Sequence, residues 1–117
     1  MKAVLCLGLL LVLASSLFSQ ELNEKYSIEI IEELGATSRK VFDRLGYDNI
    51  SSKVADGYNG WPEHAPYDGI IVTAAAGHVP PPLVQQLKVG GRLVIPVGSG
   101  FQTQQLLLIR HAGPFKA

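Results

Sequence analysis

Ile70-Ile71-Val72, running out into Thr73-Ala74-Ala75-Ala76, narrows the possible folds more than any other part of the chain. A continuous apolar run rich in β-branched residues reads as a strand covered on both faces, because a half-exposed strand would alternate apolar and polar positions. Strands buried on both faces belong to parallel sheets with helices packed against them. The residues that follow carry almost no side-chain bulk. In open α/β sheets ligands bind at the carboxyl ends of the strands, and small residues there let a ligand come close to backbone. Pro66-Tyr67-Asp68 ends the polar loop ahead of this strand, which starts near Gly60-Trp61.

The neighbouring segments supply the rest of such a sheet. Tyr26–Ile30 alternates and predicts a short strand. Ile31, Leu34, Val41, Phe42 and Leu45 recur at helical spacing, and Gly46 follows where a left-handed residue closes a helix. Ile50–Val54 predicts a second strand, ended by Asp56-Gly57, and Tyr58–Pro66 a loop before the strand Gly69–Thr73. Pro80-Pro81-Pro82 starts a brief helix carrying Leu83, Val84 and Leu87, since proline is tolerated where helical amides lack partners anyway. Gly90-Gly91 is expected to turn the chain into the strand Arg92–Val97. Gln105–Arg110 reads as the last strand, with an antiparallel course allowed. The rhythm is that of an α/β fold, a mostly parallel sheet with flanking helices.

The chain has 117 residues, enough for one small domain, and its 10 basic and 10 acidic side chains cancel. No basic run marks a nucleic-acid groove. A single cysteine, Cys6, excludes an internal disulfide and a cysteine-rich metal site, and His64, His78 and His111 lack metal-ligand spacing, so no metal is expected. Residues 1–20 admit two readings. Lys2, the apolar run Ala3–Leu13 and the small residues Ala14-Ser15-Ser16 match a secretory leader read at 1–16. The same run also suits a buried first strand. It is too short for a membrane span, which needs about 20 apolar residues. Residues 21–117 form the domain proper on either reading.

If the strands are parallel, Glu29, Asp56 and Thr73 share one rim. A carboxylate at the end of the second strand can accept both hydroxyls of a ribose, and one a strand over can take the exocyclic amine of an adenine. Singly, Glu29 is an ordinary helix-start residue and Asp56 an ordinary turn residue. Their joint placement points to a nucleoside site. Trp61 reads as a loop anchor, since no second aromatic or basic cluster surrounds it in sequence, and His64 and His78 as loop residues at the rim. Nothing near Cys6 would lower its pKa, so it reads as an apolar filler.

Ser27-Ile28-Glu29, Asp56-Gly57, Gly60-Trp61 and Ala65-Pro66-Tyr67-Asp68-Gly69-Ile70-Ile71-Val72-Thr73-Ala74-Ala75 resemble the protein-L-isoaspartate O-methyltransferase family. Pro80-Pro81-Pro82-Leu83, Gln86-Leu87-Lys88 and Gly90-Gly91-Arg92-Leu93-Val94-Ile95-Pro96-Val97-Gly98 continue the match, which covers residues 26–110. The resemblance implies a Rossmann-like methyltransferase fold that uses S-adenosyl-L-methionine. It implies methyl transfer to the free carboxylate of isoaspartyl residues in damaged proteins, a repair reaction, in the cytoplasm. By the same resemblance Glu29 would hold the ribose hydroxyls, Asp56 and Gly57 the adenine, while Thr73 and Ala74 would border the transfer site. No general base is expected, because the accepting carboxylate is already ionised. The chain departs from the family in two ways. The family's Leu-Glu-x-Gly-x-Gly-Ser-Gly-Tyr loop stands about 20 residues ahead of the ribose carboxylate. Here Leu5-Cys6-Leu7-Gly8 resembles the strand end, but Leu9–Leu13 stands where small residues belong, so this loop is expected to bind cofactor poorly. Measured against the family the domain is also truncated at both ends, which predicts an open sheet edge where a partner chain could pair. The alternatives that stay open are an inactive remnant acting as an interaction module, and an exported protein.

Overall fold

The computed structural model describes residues 2–7 in their backbone course and residues 24–99, 101 and 103–113 in full. Its strands are β1 (Lys2–Leu7), β2 (Glu24–Glu29), β3 (Ile50–Val54), β4 (Tyr67–Val72), β5 (Leu87–Val97) and β6 (Gln105–Arg110). The helices are α1 (Glu32–Arg44) and α2 (Pro81–Gln85). One sheet results, in the order β3-β2-β1-β4-β5-β6. Every neighbouring pair is parallel except β5 with β6. Lys2–Leu7, open on sequence alone between a leader and a strand, lies in the middle of the sheet with β2 on one side and β4 on the other. Between β1 and β4 the strand order reverses, which is where ligands of such sheets bind.

Side chains alternate across β2, so Tyr26 and Ile28 face one side and Lys25, Ser27 and Glu29 the other. On the second side lies α1. Its first turn carries Glu32 and Glu33, favourable to the helix dipole. It ends in a Schellman motif, with the Tyr47 amide bonded to the Phe42 carbonyl and the Gly46 amide to the Asp43 carbonyl. Gly46 takes φ 79°, as expected for a left-handed cap. Of the expected apolar stripe, Phe42 is buried and Leu34 and Val41 half-buried, while Ile31 and Leu45 stay exposed. The approach to the sheet runs instead through small residues. A Cβ on Gly35 would stand 2.7 Å from a Val54 methyl, and Ser38 is buried with its hydroxyl on the Leu34 carbonyl.

On the first side the link from β3 to β4 contains no α-helix. Two single-turn 3-10 helices, Gly57–Asn59 and Pro62–His64, lead the chain across β2 and β1. They cover a core of Tyr26, Ile28, Tyr67, Ile70, Leu83, Leu87, Leu93 and Ile95. The expected turn at Gly90-Gly91 is instead part of β5, which starts at Leu87. Tyr67 pairs with Leu87 and Gly69 with Arg92, so residues 88–91 form an outward bulge held by bonds from the Gly90 amide to His111 and from the His111 amide to Gly91. Glycine at φ 83° opens a bulge as readily as it closes a turn. Among the described residues β6 is an edge strand, with Leu106 and Leu108 exposed.

Lys25 is buried beside the Tyr47 ring, 5.8 Å from its centroid. Burial lowers its pKa below the ordinary 10.5. The folded state therefore binds this proton more weakly than the unfolded one, and the penalty holds in full below the folded pKa. It fades as pH rises through that value toward 10.5. Lys25→Met is expected to stabilise the fold at pH 7 by about 1 kcal/mol. Urea denaturation should show that gain shrinking as pH rises; a loss at pH 7 would refute the burial penalty.

Candidate functional site

A cavity of about 270 Å³ opens at the carboxyl ends of the strands. Ile28 and Ile30, Val72 and Ile95 give it an apolar floor, and Ala74, Ala75 and Ala76 a flat wall at the end of β4. The small residues matter because they leave backbone within reach of a ligand. That wall is pinned to β5: the Ala76 amide bonds to the Pro96 carbonyl at 3.0 Å, and the Gly98 amide to the Ala76 carbonyl at 2.9 Å. Leu83 and Pro80 bring α2 against the opposite flank, and Asp56, Gly57 and Tyr58 form the lip. Asp56 caps the first 3-10 turn, its Oδ1 accepting the Tyr58 amide at 2.9 Å. Tyr58 Oη lies 3.3 Å from His78 Nε2, so the loops after β3 and β4 meet across the mouth. Among the described lining residues there is one carboxylate and no basic side chain. Such walls offer a flat apolar surface with one negative charge at the lip.

Asp56, Gly57 and Ala74 thus share one cavity. Thr73 is exposed between two of its wall residues. Glu29 lies on the other side of the sheet. It is buried, its Oε1 accepts the Ile31 amide at 3.1 Å, and it lines a second cavity of about 280 Å³ between β2, β3 and α1. Gly8–Leu13 lies outside the described residues. His64 is half-buried and stacked on Tyr26 at 4.4 Å, away from the lip. His78 does reach the rim. Trp61 anchors its loop, but an aromatic cluster surrounds it after all. Tyr26 and His64 meet it edge-on at 5.4 and 5.1 Å, Tyr67 Oη donates to its carbonyl, and Lys53 Nζ lies 4.6 Å above its ring. Tyr26, Lys53 and Tyr67 come from three strands and His64 from the same loop, so the cluster could not be seen along the chain. Among the described residues no group of three or more His, Cys, Asp or Glu could hold a metal ion, and no helix is long and apolar enough to cross a membrane.

Residues 7–115 match the sequence profile of the protein-L-isoaspartate(D-aspartate) O-methyltransferase family. The chain belongs to that family. A protein-L-isoaspartate O-methyltransferase 2 of Polaromonas sp. is 62% identical over 84 residues, covering 72% of this chain and 40% of the relative. One from Syntrophobacter fumaroxidans is 56% identical over 95 residues, covering 81% of this chain and 38% of the relative. The chain therefore spans about two-fifths of these protein-L-isoaspartate O-methyltransferases. A solved protein-L-isoaspartate O-methyltransferase superposes with a TM-score of 0.81 at 28% identity, over 92% of this chain and 35% of that one. The Rossmann-like methyltransferase fold follows from these likenesses. The cavity lies at the strand ends of a sheet whose order reverses beside β1.

Within this member of the protein-L-isoaspartate O-methyltransferase family, one residue that holds the loop before β4 gave no sign of its contacts in sequence. Gln86 is buried, and its carboxamide bonds to backbone on both sides of Gly60. The one available signal was Gly60 itself, a glycine in a loop with no obvious turn to make.

Proposed function

We propose that this chain forms the S-adenosyl-L-methionine-binding core of a protein carboxyl methyltransferase acting on isoaspartyl residues of damaged proteins. Family membership supports the reaction class. The observation that carries the ligand is the cavity: flat apolar walls for a base, one carboxylate at the lip, and no cation among its described residues. In this reading Asp56 takes the adenine amine through the lone pairs that its bond to the Tyr58 amide leaves over, and the Gly57 backbone contacts the ring edge. Glu29 is the ribose carboxylate of this reading by family resemblance alone, because its side chain lines the second cavity and its Oε1 accepts the Ile31 amide there. Thr73 and Ala74 border the transfer site. When bound, the cofactor would supply a methyl group on a sulfonium for transfer to the carboxylate of the substrate. No proton moves, so the residues of the chain are asked to align and to exclude water rather than to act as acid or base.

The same reading takes Lys2–Leu7 as the first strand and Gly8–Leu13 as an altered cofactor loop, within a cytoplasmic protein. It takes the exposed edge of β6 as the place where a further strand pairs. Calorimetric titration with S-adenosylhomocysteine tests the core of it. Micromolar binding by the folded chain would mean that the altered loop is tolerated, and Asp56→Ala should weaken that binding by about 1.5–3 kcal/mol, the worth of a hydrogen bond to a charged group. A folded chain that takes up no ligand would overturn the reading; binding would make methylation of an isoaspartyl peptide the next assay.

A further inference from the structure

We infer that Gln86 is a positioning residue for this cavity, holding the lip that carries Asp56, Gly57 and Tyr58; the inference rests on the cavity being the cofactor site. Gln86 follows α2, on the flank of the cavity opposite the lip. Its Oε1 accepts the Trp61 amide at 2.9 Å and its Nε2 donates to the Asn59 carbonyl at 2.8 Å. Its own carbonyl accepts the Tyr67 amide at 2.8 Å. One residue thus grips the loop on both sides of Gly60 and again where the loop enters β4. From Asn59 the hold passes along the turn to the lip, because the Asn59 amide bonds to the Asp56 carbonyl and the Tyr58 amide to Asp56 Oδ1.

The chemistry is specific to a carboxamide. It must accept and donate at once, from a side chain only 8% exposed. A carboxylate could accept from Trp61 but would set a second oxygen against the Asn59 carbonyl. The fit is also tight. Gly60 sits at φ 62°, and a Cβ there would fall 2.3 Å from Gln86 Oε1, so the glycine is what lets loop and carboxamide meet.

The test uses Gln86→Glu in the full chain. Trp61 is the single tryptophan, so acrylamide quenching of its fluorescence reports on the clamp without ligand. S-adenosylhomocysteine titration reports on the lip. At neutral pH the variant should stay folded by circular dichroism, expose Trp61 to quencher and lose at least tenfold in affinity. At a pH of about 5, near the range where a buried glutamic acid regains its proton, the side chain can again donate. Shielding and affinity should then return toward the wild-type values measured at the same pH. Recovery at low pH ties both losses to the missing donor hydrogen bond rather than to altered packing. Unchanged quenching and affinity in Gln86→Glu, or a loss that low pH does not reverse, would overturn the positioning role. Should Gln86→Glu fail to fold, Gly60→Ala, which pushes the carboxamide aside, must expose Trp61 and weaken binding in the same direction. A wild-type chain that binds no S-adenosylhomocysteine overturns the cofactor reading itself. A wild-type chain that binds, beside a Gln86→Glu chain that binds equally, overturns the positioning role alone.

Discussion

Tyr67→Ala is expected to lower the stability of the fold by about 3–5 kcal/mol, the range for truncating a buried aromatic side chain. Tyr67 is fully buried at the start of β4. Its ring meets Tyr26 edge-on at 5.7 Å, and its hydroxyl donates to the Trp61 carbonyl. Truncation would remove the support beneath the loop that leads from β3 to β4 over this face of the sheet. Stabilities of small domains lie at about 5–15 kcal/mol, so such a loss takes a large share of the total. Tyr67→Phe separates the two contributions. It keeps the ring and removes the hydroxyl that donates to the Trp61 carbonyl, and should cost about 0.5–1.5 kcal/mol. Urea denaturation of the three proteins measures both. A Tyr67→Ala loss no greater than that of Tyr67→Phe would mean that the ring is not packed as described.

Gly91→Ala is expected to cost about 1–3 kcal/mol, as overpacking does where the neighbours cannot yield. An added Cβ would lie 2.8 Å from the Lys88 carbonyl oxygen, 3.0 Å from that of Tyr67 and 3.2 Å from that of Asp68. All three are backbone atoms at the bulge between β4 and β5, so no side-chain rotation relieves them. Gly46→Ala is the contrasting case. Nothing lies within 4 Å of a Cβ there, and the change meets only the backbone strain of φ 79°. That strain is about 1–2 kcal/mol for a residue with a side chain in the left-handed region. Denaturation midpoints of the two variants compare a steric block with a conformational one. Recovery of Gly91→Ala should require the strands to part, visible as lost amide protection at Tyr67–Gly69; full protection with no loss of stability would contradict the bulge.

Local signals in this chain were those that depend on a few adjacent residues. The β-branched run at Ile70–Val72 reads as a strand, with Ile70 buried and Ile71 and Val72 half-buried, and Gly46 could be read as a helix cap because a left-handed residue after a helical stripe needs no long-range partner. Asp56 and Thr73 were legible as rim residues because strand direction alone sets which ends share an edge, whereas Gly57 and Ala74 came from the family resemblance. The bulge at Gly90-Gly91 was misread as a turn, since the same φ serves both and only the partner strand decides between them.

What lay beyond the sequence is of a different kind. Which side of the sheet Glu29 faces depends on the register of β2 against its neighbours and on where α1 settles. A shift of one residue would send its carboxylate to the opposite cavity. The cluster of Tyr26, Trp61, His64, Tyr67 and Lys53 joins residues from β2, β3, β4 and a loop, none of which announces the others. Gln86 is the extreme instance, a polar residue at the end of a five-residue helix whose partners stand 25 and 27 positions earlier. The sequence by itself determined the class of fold, the strand ends that make a site and the family. Tertiary structure alone decided which side chains face which cavity and what holds the lip in place, because burial and hydrogen bonding across elements exist only once the sheet has brought distant segments together.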